Sequence, residues 1–276
     1  MNNFIFSNLN KLKKANIPNP EIDLRILLNY SKYSKSEILL NNIILDDINI
    51  NKFNDFLKRR INNEPISKII NRKSFWKDNF YVDKFVLDPR PETEGIIEES
   101  IHLIKNKNTH LKILDIGTGS GAIAISLSRE FKNAEILATD VSDEALNVAN
   151  KNIIEKKLQK NIQLKKIPIN GINRSFDLIV ANPPYLSKKE YFDIEIGIRD
   201  FEPKIALYGG EDGLDFYREF AEKIPKILKN NAYLIIEIGE KQFYACLEIF
   251  KFAGLKFLKK TQDLQKKDRI MIFSKL

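Results

Sequence analysis

The chain has 276 residues, 43% of them hydrophobic and 30% charged, which is ordinary for a soluble globular protein of one large domain or of a medium domain with a small one. Its single cysteine, Cys246, excludes an intrachain disulfide, and its two histidines have no cysteine partners at metal-ligand spacing, so we expect no metal site. No apolar run reaches the roughly 18 residues of a membrane span, and Met1 to Leu9 lack the basic segment of a secretion signal, which predicts a cytoplasmic protein.

Residues 1–64 have the apolar spacing of helices, and we expect them to form a small N-terminal helical domain. Apolar residues recur at helical spacing from Ile22 to Leu28, behind a first turn that Pro20 opens. A second helical pattern starts near Ser36, and a third runs from Asn51 to Ile61. The alternative is that these helices extend the core of the rest of the chain.

Residues 65–88 change to short runs of β-forming residues separated by polar turns, which predicts a β-hairpin linker. The β-forming residues are Ile66, Ile69, Phe75, Trp76, Phe80, Tyr81, Val82, Phe85 and Val86. The run from Asp88 to Glu94 then leads into a helix, and its two prolines make the approach stiff and extended.

Strand and helix patterns alternate from about residue 93 to residue 276. Strands are predicted at 111–116, 135–139, 162–165, 177–181, 232–238, 255–258 and 270–273, and helices at 122–131, 143–158, 214–228 and 242–250. Repeated strand–helix units predict an α/β fold with a doubly wound, largely parallel sheet.

A glycine-rich turn follows the first of these strands, at Gly117-Thr118-Gly119-Ser120-Gly121. Glycine allows a tight turn and lets a ligand lie against bare peptide groups, and the next helix offers free N–H groups at its start. Asp140 closes the following strand, where an acid can accept hydrogen bonds from both ribose hydroxyls of an adenosine. NAD binds at similar features, but the spacing here is G-x-G-x-G and not G-x-G-x-x-G.

The tetrapeptide Asn182-Pro183-Pro184-Tyr185 follows the predicted strand at 177–181. Ligands of open α/β sheets bind at the carboxyl ends of the strands, so this loop is expected to face the glycine turn and Asp140. The prolines hold Asn182 and Pro183 in extended geometry, and the side-chain oxygen of Asn182 and the carbonyl of Pro183 then form two fixed acceptors. Such a pair suits the two hydrogens of an –NH2 group, with Tyr185 stacking on its plane. A plain turn after a strand is the alternative.

These residues resemble those of the peptide chain release factor glutamine N5-methyltransferases over nearly the whole chain. The matching segments are Pro89–Glu94, Asp115–Gly121, Asn182–Tyr185, Phe201–Pro203 with Ala206-Leu207, Gly209-Gly210 and Gly213–Arg218, and Glu237–Gly239 with Gln242. The Asn182–Tyr185 motif is shared with amino-methyltransferases that act on DNA or RNA, whereas the last two groups of segments separate this family from those relatives.

The resemblance implies a seven-stranded, Rossmann-like methyltransferase domain at residues 89–276 that uses S-adenosylmethionine, releases S-adenosylhomocysteine and modifies the glutamine of a Gly-Gly-Gln motif in release factors. It implies cofactor contacts at Asp115, Gly117, Thr118, Gly119, Ser120, Gly121, Asp140, Val141, Ile167 and Asn182. Substrate contacts are implied at Asn182, Pro183, Pro184 and Tyr185, of which Asn182, Pro183 and Tyr185 are catalytic. Family members often have an acid–aromatic pair after the third strand; here Lys165 to Ile169 stand there, and Ile167 is expected to form an apolar wall.

Three other functions remain open at this point. The net charge of +8 allows a methyltransferase of exocyclic amines on DNA or RNA bases, although it also serves solubility alone. No separate target-recognition domain and no basic–aromatic run are visible in the sequence. A non-catalytic binding module and an NAD oxidoreductase fit the tetrapeptide less well. We therefore expect release factors as partners, no stable binding of nucleic acid or membrane, and a monomer.

Overall fold

The computed structural model of the protein describes residues 2–32 and 47–275. The helices are α1 (Asn2–Lys14), α2 (Pro20–Tyr30), α3 (Ile50–Ile61), α4 (Ile66–Ile70), α5 (Glu94–Leu103), α6 (Ala122–Glu130), α7 (Asp143–Glu155), α8 (Lys188–Asp193), α9 (Ile196–Arg199), α10 (Asp215–Ile227) and α11 (Phe243–Phe252). The strands are β1 (Lys73–Phe75), β2 (Asp78–Phe80), β3 (Lys112–Ile116), β4 (Glu135–Asp140), β5 (Ile162–Lys166), β6 (Phe176–Ala181), β7 (Leu228–Glu237), β8 (Lys256–Gln262) and β9 (Asp268–Ser274). The chain forms two compact units, one of residues up to Arg72 with Glu195–Phe201, the other of Lys73–Ile194 with Glu202–Leu276.

The first unit packs α1 to α4 around an apolar core. All four helices contribute buried side chains to this core. They include Leu12, Leu24, Leu27, Leu28, Phe53, Leu57 and Ile69. The side chain of Asn49 accepts a hydrogen bond from the backbone nitrogen of Lys52 and so caps α3. The helical pattern predicted near Ser36 lies outside the described residues.

The predicted β-forming run is only partly extended. Ile66–Ile70 is a helix, because Ile69 packs in the core of the first unit and Asn71 ends the turn in left-handed conformation. The hairpin itself is short, at β1 and β2. Tyr81 forms no strand pair; its backbone nitrogen and oxygen instead bond the side chain of Asn152.

Within the described residues, the second unit has a seven-stranded sheet in the order β5-β4-β3-β6-β7-β9-β8. The pairs from β5 to β7 are parallel, and β9 is antiparallel to both β7 and β8. This arrangement confirms the predicted α/β class and the largely parallel sheet. No helix in the part of the chain that the structure describes is long and apolar enough to cross a membrane.

Successive residues along each central strand point to opposite faces of the sheet, and both faces are covered by helices. Ile113 of β3 joins the core under α5, α6 and α7, whereas Leu114 joins the core under α10 and α11. Cys246 lies buried in the second of these cores, and burial raises the pKa of its thiol to about 12. It is a core residue, as its position in the helical pattern predicts.

A buried carboxylate joins the hairpin to α6. Glu130 accepts hydrogen bonds from Trp76 Nε1, Lys77 Nζ and Lys107 Nζ. Burial raises the pKa of Glu130, but these three donors outweigh that effect and lower the pKa to about 2. The hairpin next to the cleft is therefore held in place by a charged group that stays ionised at neutral pH.

Candidate active site

One cleft of the second unit collects the segments that the sequence singled out. It opens at the carboxyl ends of β4, β3 and β6, which are neighbours in the sheet. Of the predicted site residues, the cleft is lined by Gly117, Thr118, Gly119, Ser120, Asp140, Val141, Ile167, Asn182, Pro183 and Pro184. Asp115, Gly121 and Tyr185 do not line it. The fold thus brings the glycine turn, the acid and the asparagine to one site.

The glycine turn leaves its backbone open toward this space. Gly117 and Gly119 have φ values of +70° and +54°, a backbone conformation that residues with a side chain rarely adopt. A Cβ added at Gly117 would meet no heavy atom within 4 Å. The turn is held from behind by the buried Asn152, whose amide nitrogen donates to the carbonyl of Ser120 at 2.8 Å. The result is a cradle of backbone that a ligand can approach closely.

Asp115 lies beneath the turn and not in the cleft. Its Oδ2 accepts hydrogen bonds from Thr118 Oγ1 at 2.7 Å and from the backbone nitrogen of Ala124 at 3.2 Å, whereas its Oδ1 has no partner among the described residues. Complete burial raises the pKa of Asp115 to about 7, against the effect of these two donors. The residue shapes the turn from below and is poised to titrate near neutral pH.

Asp115→Asn is expected to change the pH dependence of stability. Because the folded-state pKa is raised, the favourable contribution of the protonated acid is complete below pH 3.8 and is lost as the pH rises through about 7. The variant cannot lose it, so its free energy of unfolding relative to wild type should rise between about pH 4 and pH 8, by on the order of 4 kcal/mol. Urea unfolding without added ligand measures this change. The exposed Asp193→Asn is the control, and equal pH profiles for Asp115→Asn and wild type would contradict the expectation.

Asp140 is fixed by backbone donors. Its Oδ2 accepts from Gly119 at 3.0 Å, and its Oδ1 accepts from the backbone nitrogens of Val141 at 2.8 Å and Ser142 at 3.0 Å. Ser142 caps α7 through its hydroxyl, so the cap does not depend on Asp140. A carboxylate has about four acceptor positions, and three are taken, so about one position, on Oδ2, remains for a hydroxyl group of a ligand. The sequence did not predict the bond between Asp140 and the glycine turn.

Part of the cleft lining is apolar. Val141 and Ile167 line it, and Val141 is half exposed. Phe216 and Phe220 of α10 line it as well, with ring centroids 6.4 Å apart. Lys165 to Ile169 contain no aromatic residue, and the aromatic side chains Phe216 and Phe220 reach the cleft from a helix about 50 residues further along the chain. This part of the lining fits a flat apolar ring system.

Asn182 presents an acceptor to the cleft. Its Nδ2 donates to Thr93 Oγ1 at 2.9 Å, and its Oδ1 makes no hydrogen bond with the described residues. The carbonyl of the buried Pro183 likewise accepts no hydrogen bond from any described residue. Two oxygens in one rigid segment are therefore available to donors from a ligand.

Tyr185 serves the loop mainly through its backbone. Its ring packs beside Gly239 and against the core under α10, and burial raises the pKa of its hydroxyl well above the usual range. Its carbonyl accepts a hydrogen bond from Gln242 Nε2 at 2.9 Å. The same nitrogen donates to the carbonyl of Gly213, and Gln242 Oε1 accepts from the nitrogen of Gly239. Gln242 therefore joins three loops, which sequence reasoning did not predict.

The loop between α9 and α10 packs closely against the tetrapeptide. Leu186 and Tyr208 form a parallel bridge, in which the backbone nitrogen of Gly209 donates to the carbonyl of Leu186. A Cβ at Gly209 would lie 2.6 Å from the carbonyl oxygen of Pro184, and one at Gly213 would lie 2.4 Å from that of Tyr185. Both glycines are required because the two backbones touch.

Comparison with known proteins is consistent with this geometry. The family described as "Methyltransferase small domain" matches residues 100–197, and the family described as "PrmC N-terminal domain" matches residues 9–70. A release factor glutamine methyltransferase of Caulobacter vibrioides is 38% identical over 266 residues, which cover 95% of this chain and 92% of that protein. This chain belongs to the release factor glutamine methyltransferase family.

Longer relatives and solved structures extend the comparison. A bifunctional methyltransferase of Rickettsia felis is 36% identical over 296 residues, covering 96% of this chain but 56% of that protein, so the chain spans about half the length of that relative. The crystal structure of the hMettl16 catalytic domain with a 3′UTR hairpin has a TM-score of 0.56 at 19% identity and covers 71% of this chain and 74% of that one. At this identity, the comparison with the hMettl16 catalytic domain shows a similar fold and no more.

Segments that carry the family resemblance contribute to the cleft, which is lined by Arg90, Pro203, Ala206 and Phe216. Arg90 Nη2 donates to Glu202 Oε2 at 2.7 Å, and the carboxylate of Glu202 is almost fully buried. This pair joins the Pro89–Glu94 segment to the segment that begins at Glu202, both in the second unit. Thr93 and Gln242 hold site residues in place but were not predicted to do so. Both residues lie in segments that match the family. Their role follows from their hydrogen bonds, by which Thr93 holds Asn182 and Gln242 holds the carbonyl of Tyr185.

Proposed function

We propose that this chain transfers a methyl group from S-adenosylmethionine to the side-chain amide nitrogen of the glutamine in the Gly-Gly-Gln motif of peptide chain release factors. The observation that carries the proposal is the pair of acceptors without partners, Asn182 Oδ1 and the Pro183 carbonyl, in the same cleft as the glycine turn. Membership of the release factor glutamine methyltransferase family supports it.

The cleft fits the cofactor in three places. The open backbone at Gly117 accepts a close approach, the remaining acceptor position of Asp140 suits a ribose hydroxyl, and Val141 and Ile167 with Phe216 suit an adenine ring. When bound, S-adenosylmethionine supplies a methyl group on a positively charged sulfur, which is already a strong electrophile. Thr118, Ser120 and Gly121 are part of the glycine turn, and Thr118 and Ser120 line the cleft. Asp115 supports the turn from below.

The chain's own part in the reaction is to hold and align the amide. The nitrogen of a primary amide is a poor nucleophile because its lone pair is delocalised into the carbonyl. Acceptors on both hydrogens draw electron density to the nitrogen and direct it, and alignment of reacting groups is itself a large part of catalysis. The proton leaves after methyl transfer, so no strong base is needed beforehand. The stacking of Tyr185 on the amide stays a prediction.

The same contacts would select the substrate. A glutamate carboxylate has no hydrogens for Asn182 Oδ1 and the Pro183 carbonyl, and two acceptors facing a carboxylate would repel it. Asparagine is excluded less strongly, through its shorter reach.

We further propose that residues 1–64 recognise the release factor, that residues 65–88 link them to the catalytic domain at 89–276, and that the protein acts in the cytoplasm as a monomer.

Methyl transfer in vitro tests the substrate. The purified full-length chain, incubated with S-adenosylmethionine labelled in the methyl group, should label a release factor but not the same factor carrying Gln→Ala in its Gly-Gly-Gln motif. Total nucleic acid is offered in a parallel reaction, because methylation of base amines is the alternative. Label in nucleic acid and not in the release factor would overturn the proposal.

The cellular substrate can be read by mass spectrometry. Release factors from cells that lack this protein should lose the mass of one methyl group on the Gly-Gly-Gln glutamine. Expression of the wild-type chain should restore the methyl group, whereas Asn182→Ala should not. Full methylation in the cells that lack the protein would contradict the proposal.

A further inference from the structure

A chain of two hydrogen bonds leads from the cleft into the core. Asn182 Nδ2 donates to Thr93 Oγ1 at 2.9 Å, and Thr93 Oγ1 donates to Glu237 Oε2 at 2.6 Å. Thr93 lies in the turn before α5, and Glu237 is the last residue of β7. Both are buried, at 4% and 1% exposure; Thr93 lines the cleft together with Asn182, whereas Glu237 does not. The chain thus links three segments that meet only in the folded protein.

The direction of these hydrogen bonds follows from the number of protons. An ionised carboxylate only accepts, so the single hydroxyl proton of Thr93 goes to Glu237. Thr93 Oγ1 can then act toward Asn182 only as an acceptor. Asn182 must therefore turn its Nδ2 to Thr93 and its Oδ1 away from it.

Nothing about asparagine itself imposes this orientation. The oxygen and nitrogen of its amide have nearly the same size, and a rotation of 180° would exchange them. With the nitrogen toward the substrate, Asn182 would offer donors and would suit a carboxylate. With the oxygen there, it offers an acceptor and suits –NH2. The orientation of one amide therefore decides which functional group the site accepts.

We propose that Thr93 and Glu237 are positioning residues that fix the amide orientation of Asn182 and thereby make the site select a glutamine amide over a carboxylate. The inference rests on the proposed function, because it concerns how that site recognises its substrate. In this role both residues act through Asn182, because the hydroxyl of Thr93 bonds Asn182 Nδ2 and Glu237 Oε2.

The surroundings of Glu237 keep its charge sensitive to pH. Burial raises its pKa to about 7, while the hydrogen bond from Thr93 and the positive charges of Arg269 on β9 and Arg90 before α5 lower it. Glu92 raises it by repulsion.

Two neutral phenols complete these surroundings. Tyr185, in the loop after β6, has its own pKa raised by Glu237, and Tyr217 of α10 donates to the backbone carbonyl of Glu237. A protonated Glu237 can donate to Thr93 as well as accept, which frees Thr93 to donate to Asn182 Oδ1. Protonation thus removes the preference for one amide orientation.

Thr93→Val and Thr93→Ser test the positioning role. Valine keeps the shape but removes the hydroxyl, so kcat for the release factor should fall about tenfold with the affinity for S-adenosylmethionine unchanged. Serine keeps the hydroxyl and should restore most of kcat. Thr261→Val, on β8 and away from the cleft, controls for the loss of a threonine hydroxyl as such.

Selectivity gives the readout that a merely structural role would not move. A release factor carrying Gln→Glu in its Gly-Gly-Gln motif is used as a competitor. The wild-type enzyme should bind the glutamine form more tightly than the glutamate form, and Thr93→Val should reduce this ratio about tenfold, while Thr93→Ser keeps it. An unchanged ratio in Thr93→Val, or wild-type kcat in that variant, overturns the inference. Absence of methylation by the wild-type enzyme would instead refute the proposed function.

The pH profile tests Glu237 separately. In the wild type, kcat should fall as the pH drops below about 7, because Glu237 takes up a proton. Glu237→Gln cannot titrate, so its profile should be flatter, with a lower plateau because the glutamine amide can donate to Thr93. A profile for Glu237→Gln with the same midpoint as the wild type overturns the role of Glu237.

Discussion

Asn182→Ala is expected to lower turnover by at least about a hundredfold while lowering the affinity for S-adenosylmethionine far less. The variant removes one of the two acceptors and leaves the hydroxyl of Thr93 without its partner in the cleft. Gly117 and Asp140 still offer their backbone and carboxylate to the cofactor, so binding should persist. Single-turnover kinetics and calorimetric titration with the cofactor separate the two effects.

A second asparagine provides the matched control for this experiment. Asn133 lies in an exposed turn and donates through Nδ2 to the carbonyl of Asn108, away from the cleft. Asn133→Ala should keep wild-type turnover. If Asn182→Ala also kept near-normal turnover with unchanged cofactor binding, the assignment of Asn182 as the residue that holds the amide would be wrong.

Gly213→Ala is expected to lower both stability and activity strongly. The added Cβ would lie 2.4 Å from the carbonyl oxygen of Tyr185, and φ at Gly213 is +78°. The tetrapeptide or the loop must move, which breaks the two bonds from Gln242 Nε2 that join them. We expect a loss of about 2–4 kcal/mol in the free energy of unfolding and at least about a hundredfold loss in kcat, since Asn182 and Pro183 shift with the loop.

Gly254→Ala isolates the cost of the backbone conformation alone. Gly254 has a φ of +82°, but a Cβ there would meet nothing within 4 Å. Its variant should lose about 1 kcal/mol and keep kcat. Urea unfolding and single-turnover rates for both variants make the comparison. Equal effects of the two substitutions would show that contact between the Gly213 loop and Tyr185 does not hold the site together.

Much of the site could be predicted because parallel strands bring their carboxyl ends to one edge. The pattern at 111–116, 135–139 and 177–181 placed the glycine turn, Asp140 and Asn182 at the ends of three strands, and these strands are neighbours as β3, β4 and β6. The predicted run of β-forming residues was less reliable, since Ile66–Ile70 became a helix and Tyr81 pairs with Asn152. Short apolar runs suit helix and strand equally, and tertiary contacts decide between them.

The sequence by itself determined three features of the cleft: glycines that leave the backbone bare, an acid at the end of a strand, and an asparagine held by two prolines. Tertiary structure alone decided how they act. Asn182 is oriented by Thr93, which lies 89 residues before it in the chain. Thr93 is in turn oriented by Glu237, which lies 144 residues after Thr93. Hydrogen-bond direction depends on partners that meet only after folding, and for that reason no local pattern reveals which atom of Asn182 faces the substrate.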